Sequence, residues 1–147
     1  MYFHQISCSN IAIAMLYLCK KDGMLEFGRN RALEVPDNYD QETILKSYLE
    51  GKMIAQGKWT KRGFILLSGS LISKNNYLFR STTVRVIREE IMRKGLLNDH
   101  SSECYELIDD VLLPSAHYAS RLVYGLEKNG KACWKNSAGI NLEQLLN

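Results

Sequence analysis

Only 2 prolines fall in the 147 residues, and no glycine-, serine- or proline-rich run is long enough to act as a linker. That excludes collagen-like and low-complexity chains. Cysteine occurs 4 times, at Cys8, Cys19, Cys104 and Cys133, and no two are spaced as C-x-x-C. The spacing excludes a thioredoxin-type redox motif and a zinc knuckle. Scattered cysteines in a chain this long read as reduced, buried thiols of a cytoplasmic protein, with a secreted disulfide pair as the alternative. Long hydrophobic runs are missing as well. The most apolar stretch, Ile11–Cys19, is too short to span a bilayer. It lacks the basic lead-in and the small-residue cleavage site of a signal peptide, so no membrane partner is expected.

Catalytic and metal-binding patterns are also missing. The 3 histidines give two i,i+4 pairs, His4 with Cys8 and His100 with Cys104. Each pair supplies at most two ligands, and a zinc site needs three or four from the protein. A Cys104–His117 dyad would need a cleft and a lowered thiol pKa. Ser68-Gly69-Ser70 lacks the Gly-Lys-Ser/Thr of a phosphate loop. Ser70 and Lys74 miss the Ser-x-x-Lys spacing by one residue. Asp109 and Asp110, read as neighbours in a strand, point to opposite faces and form no carboxylate pair. The expectation is no enzyme, no metal and no cofactor.

What the chain does have is uneven charge. The net charge is +3, but residues 1–51 sum to −2, residues 52–94 to +8 and residues 95–147 to −3. A +8 block over so few residues is the footprint expected of a polyanion binder. Within or near it lie Lys58, Trp59, Lys61, Arg62, Lys74, Arg80, Arg85 and Arg88, with Lys128, Lys131 and Lys135 extending the patch from around the Asn129-Gly130 turn. Interleaved aromatics can stack on exposed bases. The competing reading is a solvated surface: Arg85–Glu89, Glu89–Arg93 and Glu90–Lys94 are spaced i,i+4, and the acidic stretch Asp99–Asp110 can fold back on the block. Trp59 and Trp134 are stacking platforms or core fillers, and a lone Trp on a central strand is more often core.

Patterning predicts an α+β chain forming one compact domain around a small mixed or antiparallel sheet. A strand is expected over residues 2–7 and a helix from about Asn10 to Lys21, stopped by Gly23. A strand follows over residues 24–27 and a loop over residues 35–40. The apolar spacing Ile44, Leu45, Tyr48, Leu49 predicts a helix over residues 41–51 that Gly51 ends. Residues 52–73 read as a hairpin turning at Lys61-Arg62-Gly63, with Gly69-Ser70 as a bulge or a close backbone approach. Residues 81–95 are the clearest helix, with Val84, Ile87 and Ile91 on its apolar face. One strand over residues 104–113 then leads into a helix opened by Pro114 and Ser115. A strand carrying Trp134, a turn at Ala138-Gly139 and a short closing helix complete the chain. Residues 1–51 stand apart as an N-terminal region, a small lobe or an extension of the sheet, before an α+β domain over residues 52–147.

From about Lys52 to Leu146 the chain resembles domain-of-unknown-function family 4357. The resemblance rests on A-Q-G-K-W-T-K-R-G-F-I-L-L-S-G-S (55–70), Arg88 with G-L-L (95–97), D-D-V-L-L-P-S-A (109–116), N-G (129–130), W-K (134–135) and A-G-I-N-L (138–142). The closing half is similar to the RAMA domain, a module associated with restriction enzymes and adenine methylases. The chain departs from the family pattern at Leu112 and Leu113, often serine, and at Lys131, often tryptophan. Such domains commonly follow GIY-YIG nuclease domains, and residues 1–51 carry no such motif. The resemblance implies a non-catalytic accessory module that faces nucleic acid, DNA ahead of RNA, with a nuclease or restriction-type protein as partner. The alternative is a regulatory protein–protein interaction domain, homodimeric and without affinity for nucleic acid.

Overall fold

The computed structural model describes residues 17–21, 23–28, 32–75 and 82–147. It is α+β, as the patterning predicts. Nine strands are described: β1 (Tyr17–Lys21), β2 (Met24–Gly28), β3 (Leu45–Leu49), β4 (Lys52–Thr60), β5 (Gly63–Leu66), β6 (Leu71–Ser73), β7 (Leu97–Asp99), β8 (Cys104–Leu107) and β9 (Val111–Leu113). Three helices are described: α1 (Thr82–Arg93), α2 (Ala116–Tyr124) and α3 (Leu142–Leu145).

The strands make two sheets. The larger has the order β1-β2-β9-β5-β4-β3, and the smaller β6-β8-β7. Only β2 and β9 run parallel; every other pair is antiparallel. The chain crosses between the sheets at residues 67–70. There Ser70 Oγ accepts the Gln56 N–H at 3.1 Å, and Leu107 N–H donates to Ser70 O at 2.8 Å. Gly69 occupies this turn and no backbone crowds it, so it is a turn residue and not a point of close approach.

Alternation places Ala55, Trp59, Phe64, Leu66, Val111 and Leu113 in the core. Gly57, paired with Leu66, is flat because the Phe64 ring lies where a Cβ would sit. Helix α2 lies across this face. Its small residues Ala116, Ala119 and Ser120 are buried and permit a close approach. Ser115 caps its N-terminus by accepting the Tyr118 N–H, as the Pro-Ser opening predicts. Helix α1 buries Val84, Ile87 and Ile91, again as predicted.

Four expectations need correction. Residues 17–21, assigned to a helix, are β1, which pairs with β2 from Lys21↔Met24 outward; Gly23, with a φ of 81°, lies in the turn between two strands and is not a helix stop. Residues 10–16, and the strand expected over residues 2–7, lie outside the described residues. The helix expected over residues 41–51 is β3, in which Leu45 and Ser47 are buried against β4. The pair Glu50-Gly51 is a two-residue turn with φ of 51° and 79°, the type I′ geometry of a hairpin. The single strand over residues 104–113 is two strands in different sheets, broken at residues 108–110. Asp110 lies in that break and accepts the Ser68 N–H at 2.8 Å. Around Trp134 there is no full strand, only the bridges Lys46↔Lys135 and Lys135↔Asn141.

Residue 51, expected to end a separate N-terminal region, is a hairpin turn. Strands β2 and β3 lie in the same sheet as β4.

Candidate nucleic-acid interface

Several of the predicted residues are engaged within the fold. Five of the block's ten basic residues are seen paired with a carboxylate, Arg93 with Glu90 among them. Lys58 Nζ lies 2.9 Å from Glu42, Arg62 pairs with Glu26 of β2, Lys74 with Asp99, and Arg85 with Glu89 at 4.0 Å. The acidic stretch does fold back on Lys74, as the competing reading anticipated. Arg88 is 7% exposed and donates to the carbonyls of Ser73 and Asn75 at 3.0 and 2.9 Å. It is a structural strut between α1 and the end of β6. Arg80 lies outside the described residues. Trp59 is 4% exposed and belongs to the core, so its ring offers no open stacking face.

A different set of cations is brought together. Lys46 and Lys135 exchange backbone hydrogen bonds of 2.7 and 2.9 Å. Directly opposed residues in an antiparallel bridge share a face, so two like charges stand side by side. Cross-strand pairing to Gln56 puts Lys46 on the face that also carries Lys58. Lys131 stands four residues before Lys135, with its Nζ 5.7 Å from the centroid of the Trp59 ring. Lys61, in the β4–β5 turn, lines the same groove as Lys131. None of Lys46, Lys61, Lys131 and Lys135 makes an ion pair among the described residues.

The lysines at positions 131 and 135 are displayed by what is buried between them. Trp134 is 0% exposed. Its ring meets Phe64 at 4.5 Å between centroids, tilted by 46°. Its indole N–H donates to Ser120 Oγ at 2.8 Å. On the N-terminal side, Asn129 Oδ1 accepts the N–H groups of Lys131 and Ala132, the Asx-turn chemistry expected of Asn-Gly. A polar knot fixes the other partner of the bridge. Ser47 Oγ donates to Cys133 O at 2.8 Å and lies 2.6 Å from the Tyr124 hydroxyl, which donates to Tyr48 O at 2.7 Å. The knot ties β3, α2 and the segment around Cys133 together, which holds Lys46 opposite Lys135.

Burial raises the pKa of both the Tyr124 hydroxyl and the Cys133 thiol above their usual values, although hydrogen bonding with Ser47 and Ser120 opposes the shift. The His117 imidazole is lowered, first by desolvation and then by Arg121. A raised thiol is a poor nucleophile at neutral pH. Among the described residues no group of three or more His, Cys, Asp or Glu side chains converges to hold a metal ion. Among them, too, no helix is long and apolar enough to cross a membrane.

The model of the family described as Domain of unknown function (DUF4357) matches residues 46–146. The chain belongs to the DUF4357 family. The match begins at Lys46, inside β3, and runs through α3. It therefore contains Lys46, Lys61, Lys131 and Lys135. Strands β1 and β2 lie before it and extend the DUF4357 sheet through the parallel β2–β9 pairing. No curated protein and no solved structure matches the chain.

Lys46 escaped the sequence reading because it sits in the acid-rich first third of the chain. The signal that finds it is spatial: it is the bridge partner of a lysine 89 positions later.

Proposed function

We propose that this DUF4357 chain is a non-catalytic accessory module that binds nucleic acid, DNA in preference to RNA, through Lys46, Lys61, Lys131 and Lys135. The observation that carries the reading is the Lys46–Lys135 pair. Like charges directly opposed across strands are destabilising, and here neither lysine makes an ion pair among the described residues. A phosphate placed between the two would relieve the repulsion. Lys61 and Lys131 add a second pair of cations, together at one groove beside the β4–β5 turn. The likeness of the closing half to modules of restriction enzymes and methylases supports DNA as the polyanion and a nuclease or restriction-type protein as the partner.

The test is anisotropy titration of a labelled duplex across a salt series. Counterion release gives a log–log slope of about −0.9 per phosphate contact, so alanine at each of the four lysines is expected to reduce the slope by about 1. An absence of binding at low salt, or binding without a salt slope, refutes the reading.

One observation favours the second reading, a protein-interaction surface. Ile44, Tyr48, Leu49 and Met53 are exposed at the β3–β4 hairpin, and Tyr48 faces Met53 across it. Light scattering separates the two: a dimer dispersed by Leu49→Asp, with no nucleic-acid affinity, supports interaction instead.

A further inference from the structure

A groove of about 870 Å³ opens beside the β4–β5 turn. One wall carries the apolar residues Leu33, Val35 and Pro36; Lys61 and Lys131 line the groove together with the carboxylates Glu34 and Glu143. The volume falls in the range of about 300–1,000 Å³ typical of ligand sites. We propose that this groove seats an unpaired nucleotide of a nucleic-acid strand, with its base against the apolar wall and its phosphate between Lys61 and Lys131. The inference rests on the nucleic-acid reading above and narrows the form of nucleic acid bound.

The walls are held in place. Leu33 and Val35 pack on the hydrophobic core. Leu33 N–H donates to Lys61 O at 2.7 Å, and Glu143 N–H donates to Lys131 O at 3.3 Å. Each wall is thus tied by backbone to a residue that carries a cation. The Trp59 ring beneath the Lys131 ammonium restrains it at the groove.

The chemistry discriminates between forms of nucleic acid. A duplex presents phosphates on a convex surface and keeps its base faces stacked inside, so it needs cations and has no use for an apolar wall. An unpaired nucleotide brings a flat apolar face together with a phosphate. Glu143 adds a carboxylate that can accept from a base amino group.

The experiment compares the full chain on a blunt DNA duplex, the same duplex with a short unpaired tail, and a mononucleotide competitor. The tailed duplex is expected to bind roughly fivefold tighter or more than the blunt one. Val35→Asn, polar but uncharged, should abolish that preference while blunt-duplex affinity is kept, with thermal melting as the folding control. If that variant does not fold, Lys61→Ala, in an exposed turn, should weaken tailed binding more than blunt binding. Equal affinity for both duplexes overturns the inference but leaves the broader reading standing. A mononucleotide that competes as well as tailed DNA also overturns it, by marking a free-nucleotide site. Binding to no probe overturns both.

Discussion

The Trp134 indole N–H has one acceptor, Ser120 Oγ, and both groups are buried. Ser120 also donates towards Ala116 O at 2.9 Å, the i−4 carbonyl of its own helix. Ser120→Ala leaves the indole donor unsatisfied inside the core. The expected loss is about 1–3 kcal/mol of stability, read as a lower midpoint in urea denaturation. A buried Trp134 was legible in the sequence from its size and position. Its partner was not, because Ser120 looks like one more small residue on a helix face that must approach a sheet. Cys133 carries a second prediction at this scale. Its folded-state pKa is raised by burial, so the native state holds the proton longer than the unfolded chain does. The associated stability is present below the thiol's ordinary pKa of 9.0 and is lost as pH rises through the higher folded value. Tyr39 acts in the same direction later, since burial and Asp40 push its hydroxyl from 10.0 up to about 12. Denaturation midpoints followed from pH 7 to 11 should therefore begin to fall near pH 9. In Cys133→Ser the fall should start later, in the range where the tyrosines ionise.

The β3–β4 hairpin shows how an element can be misread in detail while its neighbours are read correctly. Ile44, Leu45, Tyr48 and Leu49 have helical spacing, but only Leu45 is buried; Ile44, Tyr48 and Leu49 face solvent. The strand is specified instead by its alternation of Leu45 and Ser47, and a serine at a core position hides the period of two. A register shift between Ser47 and Tyr48 then turns the end of the strand outward. The turn gave no help, because Glu-Gly is not among the strong hairpin dipeptides. By contrast, β4 and α1 were legible because their patterns run for longer, and β5 because it is a short apolar run straight after a turn. Glu50 is the only non-glycine with positive φ among the described residues. Glu50→Asn, better suited to that conformation, is expected to stabilise the chain by about 0.5–1 kcal/mol. The check is a higher denaturation midpoint with an unchanged denaturant slope, which places the effect on stability alone.

Over the whole molecule, charge summed along the chain treats every lysine and arginine as free, and folding removes that equivalence. Lys58, Arg62, Lys74 and Arg85 meet carboxylates, most of them from distant segments, and Arg88 is sunk among carbonyls. Lys131 and Lys135 were legible as an extension of the patch, whereas Lys46 and the groove exist only once β3, β4 and the Trp134 segment are side by side. This arrangement makes a prediction in which stability and binding move in opposite directions. Lys46→Glu places a carboxylate opposite Lys135 and converts a repulsive pair into an attractive one. Cross-strand charge pairs are worth roughly 0.2–1 kcal/mol, so the variant should melt at the same temperature as the parent or higher. Its affinity for duplex DNA should nonetheless drop, and its salt slope should shrink by about 2, because one phosphate contact is lost and Lys135 is engaged internally. Lys74→Glu is the control: it places two carboxylates together at Asp99, and it should lower stability without changing the salt slope. If Lys46→Glu binds DNA with the parent's slope, the paired lysines are not the contact surface, however stable the variant is.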